Sequence, residues 1–472
     1  MTPGAANFTG TGHDPKSPAD FGHVPTSRVP LLIIVVILGV VLLLAQTAIG
    51  NAAIWAAIGL GLALLLVAFP EVGLGLFLTA GTYKTELVTL LRLPVDPTML
   101  LGGLVLAGLF IRMLRQGVKS ILPSRQLVVP FGVLLILMVF SQLAGEATLY
   151  GREKLLRFGL LTGIAMFAPA GIIGTKARLR RFVITAVGLG LLMALLGTAT
   201  GEGLEAFGST HIAAGRVLGF ALLGVLYLLL ESRPHALVRR GLLGALGVLG
   251  FGFLSSGSRG SMVALLVSLA VTALISFGLR KGRRWVGIGL IVFVGAAAAL
   301  TLAVPAAVET MNRRVTDVLA NGDAIGSARS RVQRAEDAWA LFLAHPVVGV
   351  GVGGFDQARG RGDGERGDYP HNILLEIGCE LGLLGLAAFV ALVALALKCV
   401  VGAMRAVKRR QEFAVVALIL AVTVYFLVNA MFSGDLNDNR LLFTALGLCP
   451  IAAGLAGNGN AATSEAATVS CE

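Results

Sequence analysis

The sequence predicts an all-α, polytopic membrane protein of about 12–14 transmembrane helices with one large extracytoplasmic helical loop. Three observations carry this expectation. Hydrophobic residues make up 56% of the chain, charged residues 14%, and the mean hydropathy is +0.85, too apolar for a soluble globule. Apolar runs of about 18–22 residues recur along the whole length, enough for a helix to cross roughly 30 Å of hydrocarbon. Those runs do not alternate as the strands of a membrane barrel would.

Taken in order, residues 1–30 are rich in Pro, Gly, Ser and Asp, with only Lys16 and Arg28 as cations. They lack the charged start and short apolar core of a signal peptide and read as a disordered cytoplasmic tail. N-terminal transmembrane helices fill 31–214, at 31–49, 51–69, 72–90, 97–114, 126–143, 155–173 and 182–199. Lys84 and Glu86 interrupt 72–90, which could equally be re-entrant or interfacial. A central region, 215–395, holds spans at 215–231, 241–256, 260–279, 285–304 and 372–397, with a polar loop at 305–371. C-terminal spans 413–431 and 440–456 occupy 396–457, and 458–472 reads as a second disordered tail.

Basic clusters fall at Arg112–Lys119–Arg125, Lys176–Arg181, Arg233–Arg240, Arg280–Arg284 and Lys398–Arg410, in every second loop. The positive-inside rule makes those loops cytoplasmic and puts 145–153, 200–214, 257–259, 305–371 and 433–439 outside. This distribution also accounts for the net charge of +12. Cations spaced between apolar runs do not form the single basic face of a nucleic-acid binder, so no nucleic-acid partner is expected. Cys379, Cys399, Cys449 and Cys471 have neither metal-type spacing nor an evident disulfide partner.

Chemistry is expected at the outer loop, which carries Arg313, Arg314, Arg329, Arg331, Arg334, Arg359, Arg361 and Arg366 and ends in Tyr369-Pro370-His371-Asn372. Solvated or headgroup-facing helices would explain the arginines equally well. Within the loop, 330–344 has Val332, Ala335, Trp339 and Phe342 at helical spacing, predicting a helix on the membrane surface with Arg331 and Arg334 on a more polar face. It stops at His345-Pro346, before Gly349, Gly351, Gly353 and Gly354. No strand precedes these glycines, which excludes a dinucleotide fingerprint; a turn packed on helix ends is expected ahead of a phosphate cradle.

Ser255 to Ser261 forms a polar knot that puts Arg259 at membrane depth, where it must face a cavity or partner, or snorkel outward. His371-Asn372 opens the span carrying Glu376, Gly378, Glu380, Gly382 and Gly385. Gly378 and Gly382 make a small-xxx-small pair, and the two glutamates, one turn apart, can orient the histidine, pair with an arginine or serve helix packing. His211 is a rival base in the preceding outer loop, and Asp435 and Asp438 near Arg440 read as solvated or paired.

Together these elements resemble the superfamily of O-antigen ligases and O-antigen polymerases. The resemblance rests on Ser-Gly-Ser-Arg-Gly at 256–260, on Ser330-Arg331 through His345-Pro346-Val347-Val348-Gly349-Val350-Gly351, and on His371-Asn372 through Glu380-Leu381-Gly382 and Gly385. The chain departs from the family pattern at Ala335, where a tryptophan is usual; Trp339 follows one turn later. The resemblance implies a GT-C-like glycosyltransferase of the bacterial inner membrane, with an extracytoplasmic active site and neither metal nor other cofactor. It would move a glycan from a polyprenyl diphosphate carrier, such as undecaprenyl diphosphate, to a glycan, lipid or protein acceptor among membrane lipids.

Within that reading, Arg259 and Arg331 would bind the diphosphate, since guanidinium groups match phosphate oxygens and keep their charge. His371 would be the catalytic base toward the acceptor hydroxyl. The alternative is a polytopic transporter or lipid-linked glycan flippase, which a similar number of spans would also suit.

Overall fold

The computed structural model describes residues 51–91, 95–117, 124–144, 148–200, 203–231, 234–278, 323–360 and 368–457. The expected spans 31–49 and 285–304, loop arginines Arg313, Arg314, Arg361 and Arg366, and Cys471 lie outside them. The chain divides into two units, Met1–Leu64 and Leu65–Glu472. Described helix begins with α1 (Asn51–Ala68), and the second unit continues through α2 (Pro70–Thr79), α3 (Lys84–Leu91), α4 (Pro97–Gln116) and α5 (Arg125–Ala144). Next come α6 (Leu149–Arg157), a π-helical turn (Phe158–Thr162), α7 (Gly163–Ile172) and α8 (Lys176–Leu196). A two-stranded antiparallel hairpin, β1 (Thr198–Thr200) with β2 (Gly203–Glu205), precedes α9 (His211–Glu231), α10 (Ala236–Ser255) and α11 (Arg259–Gly278). Then follow α12 (Asp323–Ala344), α13 (Gly354–Ala358), α14 (Ile373–Ala406), α15 (Arg410–Ala430), α16 (Arg440–Leu448) and α17 (Ala452–Ala456).

The protein is all-α apart from the small hairpin, and it is a multi-pass membrane protein. Among the described residues nine helices are long and apolar enough to span a membrane, or ten if the bent pair Gly59–Ala68 and Pro70–Thr82 is one span. That pair turns through 112°. Proline at the first position of α2 lacks the N–H that would continue the preceding helix. The expected 72–90 span is therefore divided among α2, a 3-10 turn at Ala80–Thr82 and α3, and the expected 440–456 span is broken into α16 and α17 around Pro450.

Helices α9 and α15 are the buried centre, 72% and 89% enclosed, whereas α4 and α5 are only 28% enclosed and present leucine, valine and phenylalanine outward. Lipid tails are as apolar as leucine, so close approach at small residues must hold the bundle together. Gly219 on α9 meets the Tyr425 ring of α15 so tightly that a β-carbon there would lie 2.2 Å from the hydroxyl.

Helix α14 is broken at Gly382, which takes φ +64°, ψ −161°, a backbone conformation essentially reserved to glycine. The break frees backbone groups that a membrane cannot satisfy with water. The turn after α12 satisfies them: Val350 N donates to Cys379 O (2.8 Å), Gly351 N to Glu380 O (2.9 Å), and Leu383 N to Pro346 O (2.8 Å). Gly382 thus faces the backbone of Val347, not a helix as the small-xxx-small pattern suggested. The glycines after His345-Pro346 form a packed turn: Gly349, Gly351 and Gly353 have positive φ, and a β-carbon on Gly349 would lie 2.3 Å from the Glu380 carbonyl carbon. Gly382→Ala should cost at least about 3 kcal/mol, from strain plus the clash with Val347, read as a lower thermal midpoint in detergent.

Helix α12 packs on α14 through Ala338, Leu341 and Phe342, against Phe355, Leu375 and Cys379. Of the expected apolar stripe only Phe342 joins this contact, while Val332 and Trp339 are 56% and 52% exposed. Ala338 faces inward because its small side chain lets α12 approach α14 closely. Cys379, Cys399 and Cys449 are buried and form no disulfide.

Candidate active site

Four elements meet at the turn that follows α15. Three successive carbonyls of this turn accept bonds from three places in the chain. Met431 O accepts from Asn372 Nδ2 (3.2 Å), Phe432 O weakly from Arg331 Nη1 (3.5 Å), and Ser433 O from Arg216 Nη2. The fourth element is α11, whose Gly260, next to Arg259, packs against Phe432. The three motifs recognised in the sequence are thus gathered at one end of the bundle. Arg259 opens α11 with an exposed side chain, at the helix end where the two apolar runs meet. Arg331 is also exposed.

The serine knot becomes a hydrogen-bonded ladder. Ser258 Oγ donates to Ser261 Oγ (3.0 Å), which donates to Asn429 Oδ1 (2.9 Å), while Asn429 Nδ2 donates to Tyr425 O (2.9 Å). The Tyr425 hydroxyl ends the chain on the carbonyls of Gly215 (3.1 Å) and Arg216 (3.2 Å). Polar residues in this apolar setting must satisfy one another, and in doing so they fix Arg216 relative to the start of α11.

His371 sits just outside α14, whose first turn is capped by Asn372 Oδ1, the acceptor for Leu374 N (3.0 Å) and Leu375 N (3.2 Å). Its φ of +58° is left-handed, and its ring lies 4.3 Å from that of Tyr369. Nδ1 is buried without a hydrogen-bond partner. Desolvation first, then the charges of Arg331 and Arg334, push the imidazole down from 6.5 to about 4, with Asp368 opposing. His371 is therefore neutral at physiological pH, with Nδ1 unpartnered and the charges of Arg331 and Arg334 near enough to act on the ring.

The arginines divide into two sets. Asp368 holds Arg334 (Nε to Oδ1, 2.8 Å) and Arg359 (Nε to Oδ2, 3.1 Å), and Asp337 also binds Arg359. Arg216, Arg259 and Arg331 have no ion-pair partner among the described residues. Guanidiniums without an ion-pair partner at one end of a membrane bundle have the chemistry to receive an anion.

Behind the site, Lys154 Nζ on α6 bonds Glu376 Oε1 and Glu380 Oε2 on α14, each at 2.6 Å, with all three side chains at most 4% exposed. Glu376 Oε1 also accepts from Leu436 N (3.1 Å), and Asn437 Nδ2 donates to Lys154 O (3.2 Å). The glutamates therefore pair with a lysine, not an arginine. In the same loop, burial, reinforced by Asp438 and Glu376, pushes the Asp435 carboxyl up to about 7. Sequence reasoning missed Arg216 and Lys154; the available signal was an ionisable residue within an apolar run. His211, the rival base, is the first residue of α9. Among the described residues no three His, Cys, Asp or Glu side chains gather as a metal site.

A polytopic helical bundle with a neutral histidine and arginines without ion-pair partners at one end defines a membrane protein with a candidate site for an anion. A family model described as O-antigen ligase matches residues 244–390, which contain Arg259, Arg331 and His371 but neither Arg216 nor Lys154. The match supports the likeness of this segment to the O-antigen ligase/polymerase superfamily, and with it a membrane enzyme of glycan assembly. No curated protein matches the chain.

Proposed function

We propose that the protein transfers a glycan from a polyprenyl diphosphate carrier to an acceptor hydroxyl at the extracytoplasmic face of a bacterial inner membrane, without a metal. The observation that carries this reading is the convergence of Arg216, Arg331 and Asn372, the residue next to His371, on the turn Met431-Phe432-Ser433. Arg259 and Arg331, joined by Arg216, bind the diphosphate. As the acceptor oxygen attacks the anomeric carbon, its proton passes to His371. The anomeric carbon–oxygen bond breaks, and its electron pair leaves on the diphosphate, where guanidinium charge stabilises it. Attack opposite the leaving group inverts the anomeric centre. Residues 215–395 are the catalytic region in this reading, and the acceptor is a glycan, a lipid or a protein side chain.

A labelled glycan on polyprenyl diphosphate, supplied to proteoliposomes with each acceptor class in the presence of EDTA, is expected to be transferred. Movement of the lipid-linked glycan across the bilayer without transfer would instead favour a flippase.

Acidity offers a second test. In free enzyme kcat/KM should hold well below pH 6.5 and fall only near pH 4, where His371 takes up its proton. A bound diphosphate offsets the arginine charges and makes the imidazole more basic, so the acid limb of kcat should lie at higher pH than that of kcat/KM. The same depression means that the stability this neutral histidine contributes is present above pH 6.5 and lost as pH falls toward 4. A kcat/KM limb at 6.5 would remove His371 from this environment.

A further inference from the structure

The loop that closes the candidate active site also borders a second basic recess. Lys84 at the start of α3, Thr98 in the first turn of α4, Arg157 at the end of α6, Leu161, Asn437 and Arg440 line a small, partly open cleft. It lies at the same end of the bundle as His371, because Asn437 and Arg440 follow the turn Met431–Ser433 by only a few residues. Its residues are none of those assigned to glycosyl transfer.

Two of the three cations have carboxylate partners: Lys84 faces Asp96 at 3.8 Å, and Arg157 faces Glu153 at 2.5 Å. Arg440 has no ion-pair partner among the described residues. Its guanidinium lies over the Phe77 ring, 5.6 Å from the centroid, and Nη1 is buried without a hydrogen-bond partner.

Two further polar groups lining the cleft are in the same condition. Thr98 is 3% exposed and Asn437 8%, and neither Thr98 Oγ1 nor Asn437 Oδ1 has a partner. An unsatisfied buried polar atom typically costs about 1–3 kcal/mol, and three of them border this one cleft. A guanidinium donor, a hydroxyl donor and a nearby ammonium suit phosphate oxygens, and the Asn437 carbonyl suits a hydroxyl beside the phosphate.

We infer that this recess is a second anion site, which binds a phosphate ester adjacent to a hydroxyl. The ester belongs either to a phospholipid headgroup or to a phosphorylated glycan. Because the site lies outside the transfer machinery, it stands or falls separately from the proposed reaction.

The test uses the full chain in phosphate-free maltoside micelles, following the thermal midpoint with added phosphatidylglycerol or glucose 1-phosphate, and with diacylglycerol or glucose as phosphate-free controls. A saturable rise with the phosphate compounds alone is expected. A rise with phosphatidylglycerol only assigns the site to a lipid, and a rise with glucose 1-phosphate assigns it to a glycan. Arg440→Gln and Lys84→Gln should each weaken the midpoint response about ten-fold in apparent dissociation constant, whereas Arg331→Gln should retain it. Lys84 is half-exposed, so its variant carries the test if Arg440→Gln does not fold. No response to either phosphate compound, or an equal response in both recess variants and the wild type, would overturn the inference.

Discussion

His371→Ala is expected to lower glycan transfer by about 10²–10⁴-fold, the range a general base contributes, while the protein folds normally. The side chain forms no hydrogen bond through Nδ1 and is only partly buried, so little packing is lost. The capping and anchoring next to it belong to Asn372 and stay intact. A companion variant separates chemistry from backbone effects. His371 holds φ +58°, and His371→Gly relieves that strain, which should raise stability by about 1 kcal/mol while leaving transfer as low as in the alanine variant. Transfer by His371→Ala at the wild-type rate would remove the base from this position and return attention to His211.

Lys154→Met should cost about 3–5 kcal/mol in unfolding free energy, read as a fall in thermal midpoint in detergent. Removing the ammonium leaves Glu376 and Glu380 facing each other in an apolar interior, and each already has one carboxylate oxygen without a partner. Replacing all three by methionine and leucines removes the charges together and should bring the midpoint close to that of the wild type, since a buried ion group rarely outperforms apolar packing of similar volume. Transfer should stay low in that triple variant. Glu376 Oε1 is also the acceptor for Leu436 N, so the ion group ties the start of α14, next to His371, to the loop that carries the converging carbonyls. A single variant as stable as the wild type would mean that the carboxylates carry their own protons and that Lys154 holds nothing together.

Much of the site was legible because its motifs are local. The runs around Arg259, Arg331 and His371 each stand out where an apolar stretch meets a polar one, and residues 244–390 match the O-antigen ligase family. The helix from Ser330 and its stop at His345-Pro346 follow from spacing and from proline, and the structure extends that helix back to Asp323. The buried face of α12 could not be read this way. Val332 and Trp339 are the more hydrophobic residues, yet Ala338 faces α14 because a small side chain is what close helix approach requires.

The sequence alone determined the class of protein and the candidates for its reactive groups. Hydropathy and charge are sums over neighbouring residues, and so are the motifs in which Arg259, Arg331 and His371 stand. Only the tertiary structure decided what those groups face. It paired Lys154 with Glu380 across 226 residues of chain, brought Arg216 to the carbonyl of Ser433 across 217, and set the glycine turn against the break at Gly382. Each of these is a contact between segments far apart in the chain. The physical reason is common to all three: in a bundle closed to water, a charge or a freed backbone group must find its partner inside the protein, and packing alone determines which helix end supplies it.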